Sequence, residues 1–268
     1  MHIKKAIIPA AGYGTRSLPI TKVIPKEMFP IKGKPAIHYI VEEAITAGIE
    51  EILIIVSRNK NMIIDYFDRS LELESFLEKS NKLHLLKKLS LPNIHIQYTR
   101  QPFARGLGDA ISLGEPFVNN EPFAVLLPDD IFLGASLNEL IDVYKETQKS
   151  VIGIQSVAES ELHQYGVIAG KQLGTHLYQV TDLVEKPQTS PPSKLAVVGR
   201  YVLNPDIFTY LQKVKPGRGG EIQLTDALQL MVSDLDCYGR ELNGKRYDIG
   251  KDIDYFELLK KVYNQNNH

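Results

Sequence analysis

Positive charge and small side chains come together in Pro9–Pro30 (PAAGYGTRSLPITKVIPKEMFP), which holds Ala10, Ala11, Gly12, Gly14, Arg16, Lys22 and Lys26. Small residues let a backbone approach a ligand closely. Arginine and lysine meet phosphate oxygens with charge-assisted hydrogen bonds. The predicted chemistry is a cradle for a nucleoside triphosphate, with Arg16 and Lys26 as its phosphate contacts. Gly12 and Gly14 are followed by Ser17 where a dinucleotide fingerprint needs its third glycine, and Gly33-Lys34 is followed by Pro35 rather than the Ser or Thr of a Walker loop. Hydride transfer is therefore not expected. A Gly/Pro-rich turn with solvated basic residues is the lesser reading of the stretch.

Other clusters supply what such a cradle would face. In Gln101–Asp109 (QPFARGLGD), Gln101 carries a donor and an acceptor that can read a pyrimidine edge, and Gly106 and Gly108 leave room for a flat base. Leu126-Leu-Pro-Asp129-Asp130 offers Asp129 as a ligand for a hard divalent cation such as Mg²⁺, with Asp130 in support. A helix cap or turn is the other reading of that pair. Three stretches lie further on: Tyr165-Gly166-Val167, Val184-Glu185-Lys186-Pro187 and Val198-Gly199-Arg200-Tyr201. Glu185 can accept from two sugar hydroxyls while Lys186 meets a sugar phosphate. Neighbours on a strand face opposite sides, so both serve one site only at a strand end or bend, which Pro187 favours. Asp248, in Gly244–Gly250, is a second metal ligand or a turn residue.

Alternating elements must position these clusters at the ends of strands. Ile3–Ile8, Glu51–Ser57, Ile94–Thr99, Phe123–Leu127 and Val151–Val157 read as strands. Between them, Pro35–Gly48, Asn61–Leu89 (one or two helices), Leu107–Leu113 and Leu137–Thr147 read as helices. This order predicts an α/β, Rossmann-like, mostly parallel central sheet with helices on both faces. Tyr165–Ala169, Tyr178–Leu183 and Ala196–Leu203 read as a smaller β-rich, sugar-binding lobe. Helices Asp206–Leu211, Ile222–Val232 and Tyr255–Tyr263 follow, and Asn264–His268 is expected to fray. The whole, 1–268, is one domain, with 1–160 as its nucleotide half and 161–268 as its sugar-phosphate half. In open parallel sheets, ligands bind beyond the carboxyl ends of the strands, where the clusters fall.

Bulk composition excludes several classes. Of 268 residues, 43% are hydrophobic and 24% charged, and the net charge of −1 gives no reason to expect nucleic acid. Cys237 is the only cysteine, which rules out an intrachain disulfide and a Cys-rich metal site and suits a reducing compartment. The apolar run after Lys4-Lys5 is cut by Pro9 and Gly12, too short for a signal peptide, and no stretch approaches a membrane span. The expectation is a cytoplasmic protein without membrane or nucleic-acid partners. Its seven histidines do not cluster, and neither a Gly-x-Ser-x-Gly elbow nor a His-Glu-x-x-His helix is present.

The chain resembles the bacterial UTP–glucose-1-phosphate uridylyltransferases of the sugar-nucleotidyltransferase superfamily. The motifs that carry this run in order through nearly the whole chain: Ala10–Lys26, Pro25-Lys-Glu-Met, Lys34-Pro35, Gly106-Leu-Gly, Leu127-Pro-Asp129, Val184-Glu-Lys-Pro, Val198-Gly-Arg-Tyr-Val and Gly219–Asp226. The resemblance implies transfer of a uridylyl group from UTP to glucose 1-phosphate. Ala11, Gly12, Gln101 and Gly106 would hold the uridine, with Gly14 in the same loop, and Arg16 and Lys26 the triphosphate. Asp129 would bind Mg²⁺ with Asp248 as a second ligand; Gly166, Glu185 and Gly199 would meet glucose, and Lys186 its phosphate. Asp109 departs from the histidine expected there. The chain also ends soon after Tyr263, earlier than many relatives, which implies a homodimer. Two readings stay open beside this one: a transferase for another nucleotide, such as dTTP, or another sugar phosphate, and a non-catalytic nucleotide-sugar sensor.

Overall fold

Continuous apolar runs set the centre of the molecule. The computed structural model describes residues 2–134, 137–217 and 220–264. In chain order the strands are β1 (Lys5–Ala10), β2 (Pro30–Ile31), β3 (Lys34–Pro35), β4 (Glu51–Val56), β5 (His95–Arg100), β6 (Phe123–Leu126), β7 (Asp130–Leu133) and β8 (Ser150–Ser156), then β9 (Gly166–Gly174), β10 (Leu177–Glu185), β11 (Leu195–Leu203), β12 (Cys237–Glu241) and β13 (Lys245–Asp248). The helices are α1 (Ala36–Thr46), α2 (Asn61–Phe67), α3 (Leu71–Lys79), α4 (Leu107–Ser112), α5 (Glu115–Val118), α6 (Leu137–Thr147), α7 (Ile207–Leu211), α8 (Leu224–Val232) and α9 (Asp252–Asn264).

Among the described residues, nine strands form one sheet in the order β5-β4-β1-β6-β11-β8-β12-β10-β9. β1, β4, β5 and β6 are parallel, as the alternation predicts. β11 runs antiparallel to both its neighbours, β6 and β8. Successive side chains on β1 show why both faces must be covered. Ile8 packs with Ile37, Ile40, Val41 and Leu140 of α1 and α6, whereas Ile7 packs with Ile111, Phe208 and Leu228 of α4, α7 and α8. Each fully buried isoleucine contributes about 1.5–3 kcal/mol relative to exposure.

Some expectations need correction. Tyr165–Ala169, Tyr178–Leu183 and Ala196–Leu203 are strands, but they belong to the single large sheet rather than to a separate smaller one. β11 is buried along nearly its whole length, with Val198 and Val202 in the core on one face and Val197, Tyr201 and Leu203 in the core on the other, which is the mark of a central strand. Asn61–Leu89 divides into α2, α3 and a 3₁₀ turn at Leu83–Leu89. The helix expected from Ile222 starts at Leu224, because Ile222 is held extended by hydrogen bonds to Arg105 and Gly108. β7, β12 and β13 had no clear sequence signal: β7 is only four residues long, β12 contains a glycine, and β13 is short and polar. Of the tail expected to fray, Asn264 closes α9, and 265–268 lie outside the described residues. No helix among the described residues is long and apolar enough to cross a membrane.

Candidate active site

Loops that follow β1, β6 and β10 meet a short antiparallel ladder, β7 with β13, beyond the sheet. β1 ends in the loop that carries Arg16 on a 3₁₀ turn, Thr15–Ser17, and Lys26 on another, Lys26–Met28. β6 leads into Leu127–Asp129, and β7 then pairs antiparallel with β13 so that Asp130 lies opposite Asp248. This pairing brings residues far apart in sequence into one charged cluster. Arg16 Nη1 donates to Asp248 Oδ2 at 2.7 Å, its Nη2 lies 3.7 Å from Asp129 Oδ2, and Lys26 Nζ donates to Asp129 Oδ2. Burial alone would raise the Asp129 carboxyl, but Lys26 and Arg16 outweigh it and hold the group below the usual aspartate range.

Arg200 fixes the turn that presents Asp129. It is fully buried, grips Glu43 with Nε at 2.9 Å and Nη2 at 2.7 Å, and donates to the carbonyls of Leu127 and Asp130 at 3.2 and 2.8 Å. Asp130 faces a different environment from its neighbour. Burial pushes its carboxyl up to about 6; Arg246, at 3.1 Å, opposes that shift, while the charges of Asp129 and Asp248 add to it. Arg246 also donates to the Tyr165 hydroxyl at 2.7 Å, as does Lys251 at 3.1 Å.

A cleft of about 560 Å³ joins this cluster to the second set of residues. Arg16, Asp129 and Asp248 line one part; Gly166, Glu185, Lys186 and Gly199 line the other. The strand-end condition for Glu185 and Lys186 is met: β10 stops at Glu185, and Lys186 turns with φ +46°, so Lys186 Nζ comes within 3.2 Å of Glu185 Oε1. Gly199 sits at an irregularity in the β11–β8 register, with φ +43°. A Cβ there would overlap the Asp130 carboxylate and stand 3.0 Å from Asp130 Cβ, so only glycine fits.

Gln101 and Gly106 form a separate corner, joined by a hydrogen bond from Gln101 Nε2 to the Gly106 carbonyl at 3.3 Å. In register, Ala10 lies beside Val56 and Val56 beside Arg100, so Ala11 and Gln101 emerge at the same level, separated by β4. Leu107 and Thr15 extend the cleft wall toward this corner. Gly106, at φ +99°, could not carry a side chain, since its Cβ would lie 2.5 Å from the Ile222 carbonyl. Gly12 is exposed with open space around it, whereas Gly14 serves the loop itself: its carbonyl accepts from Ser17 N–H at 3.0 Å and Thr21 Oγ1 at 2.8 Å. Lys22 is exposed and apart from the cluster.

Sequence reasoning missed Arg246 and the buried pair Lys60 Nζ–Glu27 Oε2 at 2.6 Å, which sits beneath Lys26. Arg246 had a usable signal, because it stands two residues before Asp248 on a strand and so shares its face. Lys60 had none. Gly219, at the start of one quoted motif, lies outside the described residues, while Gln223 and Thr225 from that motif line the cleft.

The donor set around Arg16 suits magnesium. Among the described residues no three His, Cys, Asp or Glu side chains gather to hold a metal by themselves. Asp129 and Asp248 provide two oxygen-donor carboxylates on either side of one guanidinium, and Mg²⁺ takes one or two carboxylates and completes its shell with phosphate and water.

Comparison with known proteins gives the family. The model of the nucleotidyl transferase family matches residues 5–265. A provisionally named UTP–glucose-1-phosphate uridylyltransferase of Bacillus subtilis (strain 168) is 54% identical over 260 residues, 96% of each chain. The UTP–glucose-1-phosphate uridylyltransferase of Staphylococcus haemolyticus (strain JCSC1435) is 50% identical over 95% of this chain and 90% of its own. A crystal structure of UDP-glucose pyrophosphorylase complexed with UDP-glucose superposes with a TM-score of 0.87 and 44% identity, covering 98% of this chain and 100% of that one. Shared so nearly end to end, these likenesses show that the chain belongs to the nucleotidyl transferase family, among its bacterial UTP–glucose-1-phosphate uridylyltransferases.

Proposed function

We propose that this protein transfers the uridylyl group of UTP to glucose 1-phosphate, releasing pyrophosphate and forming UDP-glucose. The observation that carries the proposal is the single cleft in which Arg16, Asp129 and Asp248 face Glu185, Lys186, Gly166 and Gly199. The chemistry needs no general base, because the attacking oxygen of the sugar phosphate is already an anion. That oxygen bonds to the α-phosphorus of UTP, the bond from the α-phosphorus to the bridging oxygen breaks, and pyrophosphate leaves with that electron pair. What the protein must provide is alignment of two polyanions and compensation of their charge.

In this reading Arg16 and Lys26 exchange their aspartate partners for triphosphate oxygens. Asp129, with Asp248, would hold Mg²⁺, which when bound offsets charge on the transferring phosphates. Lys186 orients the sugar phosphate, Glu185 accepts from sugar hydroxyls, and Gly166 and Gly199, which let Thr225 and Asp130 pack close against the backbone, form the wall that meets the ring. Ala11, Gly12, Gln101 and Gly106 seat the uridine, with Gly14 shaping their loop. Residues 1–160 supply most of the nucleotide side and 161–268 most of the sugar side. A homodimer in the cytoplasm completes the proposal.

Pyrophosphate release measured across a matrix of nucleoside triphosphates and sugar 1-phosphates tests it. UTP with glucose 1-phosphate should give the fastest release. Faster release with dTTP or another sugar phosphate would move the assignment to that pair, and silence across the matrix would leave only a nucleotide-sugar sensor.

A further inference from the structure

Gln101 and Asp109 meet across the turn that opens α4, and their contact fixes more than a position. The Gln101 backbone N–H extends the β4–β5 ladder by donating to the Val56 carbonyl at 2.9 Å, and the residue is buried. Its Nε2 donates to Asp109 Oδ2 at 2.7 Å and to the Gly106 carbonyl at 3.3 Å. A carboxylate and a peptide carbonyl can only accept, so the amide nitrogen must face them, and both of its N–H groups are engaged. The reversed amide would set Oε1 against two oxygens. Gln101 is thereby left with one free function, the acceptor Oε1. No described residue donates to that oxygen, and no buried side-chain polar atom among the described residues lacks a partner, so Oε1 is open to a ligand.

We infer that Asp109 is a specificity-determining positioning residue: by holding Gln101 Nε2 it makes Gln101 an acceptor alone, which selects a nucleobase with an N–H on the facing edge. This rests on the proposed role of Gln101 at the base. Uracil in a nucleotide has a single ring N–H, at N3 between two carbonyls, so Gln101 Oε1 meets N3–H. Cytosine has a lone pair at N3, and two acceptors would then oppose each other. Asp109 acts through Gln101 and does not touch the base. Its turn is held independently, by Gly108 N–H to the Ile222 carbonyl at 2.8 Å and Ile222 N–H to the Arg105 carbonyl at 2.7 Å. Removing the carboxylate therefore frees the amide without freeing the turn.

The test is kcat/KM for UTP and for CTP, with glucose 1-phosphate saturating, in the wild type and in Asp109→Ala, Asp109→Asn and Gln101→Ala. The UTP-to-CTP ratio does not depend on how much of each variant is folded, and calorimetric Kd values give the same ratio without turnover. Asp109→Ala should shrink the preference for UTP by about tenfold or more. Asp109→Asn should keep it, because Asn Oδ1 still accepts from Nε2. A wild-type ratio in Asp109→Ala, beside a collapsed one in Gln101→Ala, would overturn the role of Asp109 and leave the base contact standing. An unchanged ratio in Gln101→Ala would remove the base contact, and the inference with it.

Discussion

On the nucleotide side of the cleft, charges are paired before any substrate arrives: Arg16 with Asp248, Lys26 with Asp129, and beneath them Lys60 with Glu27. On the sugar side, close packing replaces ion pairing. Gly166 and Gly199 let Thr225 and Asp130 sit against the backbone, and Lys186 is half exposed and paired, among the described residues, with the adjacent Glu185. The contrast is one of method. A polyphosphate must trade places with carboxylates already in contact with its binding groups, so that side is ordered in advance. A neutral sugar ring needs a fitted wall and a few acceptors, and its shape is read by how closely the backbone of that wall is packed.

The largest expected effect breaks the ordered side from below. Lys60→Met leaves Glu27 buried without its cation, and the loss should be about 3–5 kcal/mol of folding stability in urea titration. A loss under 1 kcal/mol would show that the pair is not holding the loop. Asp129→Asn should lower pyrophosphate release by about 10²–10³-fold, with a stability loss smaller than that of Lys60→Met because Lys26 and Asp129 are less completely buried than Lys60 and Glu27. Near-normal turnover would end the metal assignment. On the sugar side, Gly199→Ala forces a methyl group against Asp130, which should cost about 1–3 kcal/mol of stability and weaken use of glucose 1-phosphate more than use of UTP. Equal effects on both substrates would erase the distinction between the two sides. Lys186→Ala, the mildest change, should raise the KM for glucose 1-phosphate about tenfold and leave the KM for UTP alone; the reverse pattern would put Lys186 on the nucleotide.

Sequence was most informative where chemistry lies next to a strand end. The loop after β1, Gln101 after β5 and Asp129 after β6 could be placed because a parallel sheet gathers such ends on one edge. Pairings across long separations were not legible. Arg16 meets Asp248 only because β13 folds back onto β7, and nothing in two four-residue strands so far apart in sequence announces that register. Arg200 looked like one residue of a sugar motif, yet it is the buried clamp on the turn of Asp129. The type of β11 was readable from its apolar run. Its place at the centre of the sheet was not, since burial on both faces does not say which strands lie beside it.

That place has a consequence for synthesis. β6 ends at Leu126, but its partner β11 is complete only at Leu203. Ribosomes add about 5–20 residues per second, so roughly 4–15 s pass between the two. Through that interval the nascent chain carries an apolar strand with one unpaired edge, the kind of edge that invites a neighbouring chain. The same late strand brings Gly199 and Arg200, so the step that seals the vulnerable edge is also the step that delivers the floor of the sugar site and the clamp on Asp129.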